Sequence, residues 1–80
     1  MTYRAQFQGR LTALGAASGA YVTRGQMIAK VTWTDEHGRP TAGGTDVAIT
    51  APANGTVVVF VAANSQFLKN EPLFRLLNLV

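Results

Sequence analysis

The stretches "GAYVTRGQMIAKV" (residues 19–31) and "NSQFLKNEPLFRL" (residues 64–76) agree in character at almost every position, and this repeat decides the fold. The offset between them is a constant 45 residues, from 19 to 64. Gly and Asn exchange freely at two places, and these residue types tolerate a left-handed backbone. The exchanges are Gly19 with Asn64 and Gly25 with Asn70. The repeat is therefore one of backbone shape, and it predicts positive φ at all four positions.

The rest of the chain consists of short apolar stretches separated by Gly, Asn and Pro, a pattern that predicts strands. No stretch keeps helical spacing over three turns. Neither half of the repeat can bury its apolar face alone, so the two halves must fold together. We predict an all-β domain over residues 1–80, made of two small antiparallel sheets related by a pseudo-twofold axis. The predicted halves are residues 5–33 and 46–77, joined by an extended hairpin tip at 34–45.

Three further positions predict local breaks in the strands. Gly9 lies inside an alternating stretch and predicts a bulge or bend. Pro52 ends a strand, because proline cannot donate to a sheet ladder. Asn54-Gly55 is the strongest short hairpin signal in the chain. Asn54-Gly55-Thr56 also matches an N-glycosylation acceptor, but the turn explains the sequence without it.

The composition limits the function classes. The chain has a formal charge of +3, 48% apolar residues and no cysteine, which excludes a disulfide framework and a thiolate metal site. No run approaches the roughly 18–20 apolar residues of a membrane span, and residues 1–17 lack the apolar core of a secretory signal. The compartment is left open, with the cytoplasm as the default. The seven Lys and Arg residues are scattered along the sequence, which argues against nucleic acid as a partner.

Three motifs together resemble the biotinyl/lipoyl attachment domain family. Residues 19–28 are similar to the family's G-(D/E)-x-V-x-x-G-Q-x-L signature, and residues 49–57 to its I-x-A-P-x-x-G-x-V signature. Residues 64–74 resemble the closing G-D-x-V-x-x-G-x-x-L-F. The resemblance spans residues 5–77, and it implies the barrel-sandwich hybrid fold, in agreement with the repeat.

The family's chemistry depends on a lysine at the tip of the hairpin between the halves, where biotin or lipoate is attached through an amide. This chain has no lysine from residue 31 to residue 68, and the family's spacing reaches about Asp35. Arg39 cannot replace the lysine, because a guanidinium stays protonated. The resemblance therefore implies a degenerate member without a prosthetic group. The chain is also similar to the lipoyl-like domains of periplasmic adaptor (membrane-fusion) proteins, whose half-motifs flank an insertion at this hairpin.

We therefore expect a non-catalytic protein-interaction or assembly module, acting as an adaptor or a structural component of a larger assembly. The expected contacts are self-association or binding within a complex, through sheet edges, the surface around Trp33 to Gly44 and the last five residues, 76–80. The candidate partner-binding residues are Trp33, Asp35, Glu36, His37 and Arg39. Trp33 has a competing explanation, in which it packs across the hairpin against Val47 or Ile49.

The same residues argue against catalysis. His37 is the only histidine, and a zinc site needs three or four convergent ligands. No pair of carboxylates is spaced for acid and base roles, and no Ser/His/Asp pattern stands out. We expect no metal, no cofactor and no enzyme activity.

Two alternatives remain open at this point. The first is a biotin or lipoate carrier modified at an atypical lysine, Lys30 or Lys69. The second is a basic small-barrel nucleic-acid binder, for which aromatic residues should lie between cations on one face. The nearest such set is Tyr3, Phe7 and Tyr21 with Arg4, Arg10 and Arg24.

The turn assignment makes a prediction about stability. Gly25→Ala should cost about 1–2 kcal/mol, because alanine is strained at positive φ. Gly43→Ala, in the predicted loop, should cost little.

Overall fold

The computed structural model describes residues 1–78, which form eight β-strands and no helix. Within that range there is no helix long and apolar enough to cross a lipid bilayer. The strands are β1 (Thr2–Arg4), β2 (Gly9–Leu14), β3 (Tyr21–Val22), β4 (Met27–Trp33), β5 (Val47–Thr50), β6 (Gly55–Val59), β7 (Gln66–Phe67) and β8 (Pro72–Leu77).

The strands form two four-stranded antiparallel sheets. Sheet I has the order β1-β8-β6-β3, and sheet II has the order β5-β4-β2-β7. The sheets are not closed into a barrel, and the architecture is that of a two-sheet sandwich. The predicted all-β, two-sheet fold is confirmed.

The repeat is present in the topology itself. Exchanging β1 with β5, β2 with β6, β3 with β7 and β4 with β8 converts the order of sheet I into that of sheet II. The four turn positions have φ of 91° at Gly19, 67° at Asn64, 87° at Gly25 and 70° at Asn70. The predicted positive φ is therefore confirmed at each of them.

The turns of the two halves also make the same hydrogen bonds. The Gly25 N–H donates to the Ala51 carbonyl at 2.8 Å, and the Asn70 N–H donates to the Ala5 carbonyl at 2.9 Å. The other matched pair is Gly19 N–H to Val57 O and Asn64 N–H to Leu11 O, both at 2.7 Å. Each half thus closes its turns on the segment that contains the first two strands of the other half, an interlocking that accords with the prediction that the halves fold together.

A single-residue bulge in the first half has no equivalent in the second half. Leu11 pairs with Val31 and Ala13 pairs with Lys30, so Thr12 is an extra residue between them. In sheet I the equivalent pairing, β6 with β8, runs without a break. The sequence predicted a bulge or bend at Gly9, but the extra residue is Thr12. Gly9 instead allows a close approach, because a Cβ there would meet the backbone oxygen of Thr32.

The prediction of a hairpin at Asn54-Gly55 is wrong. β5 lies in sheet II and β6 lies in sheet I, so the bend at residues 52–54 carries the chain from one sheet to the other. The Asn54 side chain serves this crossing, since its Oδ1 accepts a hydrogen bond from the Arg24 N–H at 2.7 Å. β5 ends at Thr50, two residues before Pro52, as predicted.

The core lies between the two sheets. Its fifteen apolar residues are Ala5, Leu11, Val22, Ile28, Ala29, Val31, Trp33, Ile49, Ala51, Val57, Val61, Phe67, Leu73, Phe74 and Leu76. Tyr3 stacks on Phe74 at the edge of this core, with ring centroids 5.0 Å apart. Burial raises the pKa of the Tyr3 phenol, because the phenolate would lose hydration there.

Candidate functional site

The hairpin tip predicted between the two halves is the loop between β4 and β5, residues 34–46, which we call the tip. β4 ends at Trp33 and β5 begins at Val47, so the tip is one residue longer than the predicted 34–45. A two-residue hairpin turn would join the strands more directly. The tip is therefore an insertion at the connection between the halves.

The base of the tip continues the hairpin. The Trp33 N–H donates to the Gly44 carbonyl at 2.8 Å, and the Thr41 N–H donates to the Trp33 carbonyl at 2.9 Å. Thr34 and Pro40 form an antiparallel bridge beyond them. The tip is consequently held by backbone bonds at its base.

Asp35 organises the outer part of the tip. Its Oδ1 accepts hydrogen bonds from the backbone N–H groups of His37 at 2.9 Å and Arg39 at 3.0 Å. Its own N–H donates to the Arg39 carbonyl at 2.8 Å. An aspartate is suited to this position, because its short side chain reaches the backbone two residues ahead. Asp35 thus has a structural role, and residues 36–39 are left exposed.

The tip also contains glycines at special φ. Gly43 has φ of 71°, although nothing surrounds a Cβ built there. The expectation that Gly43→Ala costs little is therefore wrong, since the backbone conformation itself disfavours alanine. The sequence did not reveal this because Gly43 has no counterpart in the repeat.

Gln8 ties the tip to the body of the protein. Its side-chain amide donates to the backbone carbonyl of Asp35, and its backbone carbonyl accepts from the Thr34 N–H at 3.0 Å. Two bonds from the same residue fix the start of the tip against the loop before β2. The tip and this loop form one surface.

Trp33 lies beneath the tip and is buried, with 8% of its surface exposed. Its ring meets Phe7 at 5.6 Å and Phe67 at 6.0 Å between centroids, in both cases edge to face. Packing was one of its two predicted explanations, and these two rings are its aromatic partners, while Ile49 belongs to the same core cluster and Val47 packs against that cluster. As a buried residue Trp33 is a support for the tip and not an exposed anchor.

Exposed apolar side chains flank the tip instead. Phe7 is 54% exposed and Leu68 is 67% exposed. A groove of about 400 Å³ lies between the tip and the turn that carries Leu68, and one of about 300 Å³ lies beside Phe7; Thr34 lines both. Sequence reasoning missed Leu68, although it sits in the second copy of the repeated turn.

Glu36, His37 and Arg39 occupy the end of the tip. The His37 Nε2 lies 3.4 Å from the Glu36 Oε1, and both side chains are more than 70% exposed, at 72% and 85%. Within residues 1–78 no three His, Cys, Asp or Glu side chains are placed to hold a metal ion. These residues provide exposed charge at the end of the tip.

Neither lysine lies within the tip. Lys30 is inside β4, where it pairs with Ala48 of β5, and Lys69 is in the turn before β8. Of the five C-terminal residues predicted to make contacts, Leu76 is in the core and Leu77 is 36% exposed. Residues 79 and 80 lie outside the described residues.

Comparisons of the chain with protein-family models, curated proteins and solved structures gave no match. The interpretation of the tip therefore rests on its own geometry. That geometry combines a hydrogen-bonded insertion, an aromatic support beneath it and exposed apolar residues on its flanks.

Proposed function

We propose that this protein is a non-catalytic interaction and assembly module, built on a biotinyl/lipoyl-like scaffold and acting without a prosthetic group. The observation that carries the proposal is the tip. Its position between the halves is the one at which that family attaches its cofactor, and residues 34–46 contain no lysine. An ordered loop with apolar flanks is suited to protein contact.

The duplicated fold supports the scaffold assignment. Two interlocked halves with the same strand order and the same turn hydrogen bonds are what the resemblance implies. The tip is the element that breaks the repeat.

The placement of the lysines argues against the carrier alternative. A carrier lysine must swing between active sites, and this needs an attachment point on a projecting turn. Lys30 lies within a sheet between β2 and β5. Lys69 is in a turn and is the better of the two candidates.

Intact mass measurement separates these functions. The chain is expressed with a biotin ligase or a lipoyl ligase, and we expect the unmodified mass in both cases. Lys69→Arg is the matched variant, since it keeps the charge and removes the acylatable amine. An added mass that disappears in Lys69→Arg would establish the carrier function and refute the proposal.

Light scattering at increasing protein concentration tests the assembly function. We expect the average mass to rise with concentration. A variant in which residues 35–43 are replaced by Asn-Gly should remain folded and show a smaller rise. A strict monomer at every concentration would count against self-assembly.

Nucleic-acid binding is the second candidate, because all seven Lys and Arg residues are exposed. Within residues 1–78 none of them forms an ion pair with a carboxylate. Binding to single-stranded DNA that weakens steeply with salt would support this candidate. The absence of such binding would remove it.

A further inference from the structure

Charge is unevenly divided between the tip and the rest of the protein. Residues 34–46 hold three of the four carboxylates and one arginine, a formal charge of −2. The remainder of the chain holds six Lys and Arg residues and one carboxylate, a formal charge of +5. The protein is therefore electrically polar, with an acidic tip on a basic body.

The basic charge is not neutralised by side-chain pairs within the molecule. Among residues 1–78 no Lys or Arg forms an ion pair with a carboxylate, and the six cations of the body are exposed. Two bodies repel each other, and so do two tips, whereas a tip and a body attract. Contact between copies through unlike surfaces is favoured over contact through like ones.

The outer face of sheet I is the part of the body best suited to receive an acidic tip. None of its four strands contains Asp or Glu, which is also true of sheet II, so the two faces differ in the carboxylates that lie beside them. Arg75 lies on this face between Thr2 of β1 and Val58 of β6. Tyr21, Thr56 and Leu77 are aligned in register across the neighbouring strands. The face thus combines cations with partly exposed apolar side chains, a composition typical of protein contact surfaces.

The outer face of sheet II is less suitable, although the repeat gives it the same shape. Lys30 is the repeat counterpart of Arg75. Asp46 lies beside it, since the Thr12 hydroxyl is 3.1 Å from both the Asp46 Oδ1 and the Lys30 carbonyl. A tip that approached sheet II would meet the Asp46 carboxylate of the receiving copy.

We propose that copies of this chain associate head to tail, the acidic tip of one copy docking on the outer face of sheet I of the next. This inference rests on the proposed assembly function and specifies its geometry. Because the two surfaces differ, the contact is heterologous and yields rings or open chains of copies, not a closed pair. The occupant of the sheet I face is therefore a second copy.

The area involved sets the strength of the contact. The chain exposes 4731 Å² in total. A stable dimer removes about 800 Å² from each partner, about a sixth of that surface. Only part of the tip can lie against a sheet face, so we expect each contact to be weak and association to require high concentration and low salt.

The test uses sedimentation velocity of the full chain at several salt concentrations. We expect association at about 10 mM salt, where charges act over about 30 Å, and its loss at about 0.5 M. Glu36→Lys and Arg75→Glu should each weaken association on the order of 10-fold or more. Both residues are exposed, and thermal melts of the variants check that they stay folded.

Mixing the two variants gives the decisive result. In the mixture the acidic tip of the Arg75→Glu variant meets the basic face of the Glu36→Lys variant, and the exchanged charges at positions 36 and 75 also attract each other. We expect the mixture to associate more strongly than either variant alone. Lys30→Glu is the matched control, because it changes the same charge at the repeat-related position on sheet II, and it should associate like the original chain.

The outcomes distinguish this inference from the proposed function. Association that persists in both variants, or that strengthens with salt, would overturn the head-to-tail geometry and leave the assembly function in place. Equal losses in Lys30→Glu and Arg75→Glu would also overturn it, by removing the preference for sheet I. A monomer under every condition would overturn both.

Discussion

The two halves of the repeat share a backbone and differ at one end. Trp33, Phe7 and Phe67 form an aromatic cluster where the first half meets the tip. The repeat-related positions, allowing for the extra residue at Thr12, are occupied by Asn78, Ala53 and Val22. Strand order and turn geometry are thus duplicated, while large side chains are concentrated at the connection that carries the tip. The difference lies at the end of the molecule to which we assign the proposed contacts.

The largest expected effect comes from removing the centre of the aromatic cluster. Trp33→Ala should lower the free energy of unfolding by about 3–5 kcal/mol, because it leaves a cavity beneath the tip. Urea denaturation measures the loss. The repeat-related change, Asn78→Ala, should cost about 1 kcal/mol, since Asn78 is exposed and the loss is limited to the strain of alanine at a φ of 55°. Equal losses would mean that the two ends are energetically equivalent after all.

The next effect concerns a turn that the halves share. Gly25→Ala should cost about 1–2 kcal/mol, because alanine is strained at a φ of 87°. Gly25→Asn should cost less, since Asn70 already occupies the same position of the second half at a φ of 70°. Thermal melts of the two variants compare them. If Asn is as costly as Ala, the turns are less alike than their hydrogen bonds indicate.

Much of this scaffold could be predicted from the sequence, because repeated Gly and Asn positions report backbone conformation directly. The crossing at Asn54-Gly55 could not, since a local turn signal does not specify which sheet the next strand joins. The neighbours of Trp33 were also missed, because Phe7 and Phe67 reach it from distant parts of the chain. The order within the tip depends on Gln8 and Asp35, which have no recognisable spacing.

A third effect depends on pH and on Tyr3 in β1. The raised pKa means that the folded state favours the neutral phenol. Its contribution to stability is complete below the unfolded value near 10 and is lost as pH rises through the folded pKa. Tyr3→Phe keeps the stacking on Phe74 and removes the titrating group. Denaturation between pH 9 and 11.5 should show a steeper fall for the original chain than for Tyr3→Phe.

The smallest expected effect is confined to the tip. Asp35→Ala removes the acceptor of two backbone N–H groups, so hydrogen exchange at His37 and Arg39 should become faster. The global free energy of unfolding should change by about 1 kcal/mol or less, because these bonds are exposed. Asp35→Asn is the matched control, since it keeps a side-chain acceptor. Unchanged exchange in Asp35→Ala would show that the base of the tip suffices to order it.

The extra residue at Thr12 shows how a duplicated chain can vary in length. An insertion inside a strand would normally turn every later side chain to the opposite side of the sheet. Here the surplus residue is accommodated locally, and Ala13 pairs with Lys30 just as Val58 pairs with Arg75. One copy of a tandem fold can therefore gain a codon while its interior and exterior keep their identities.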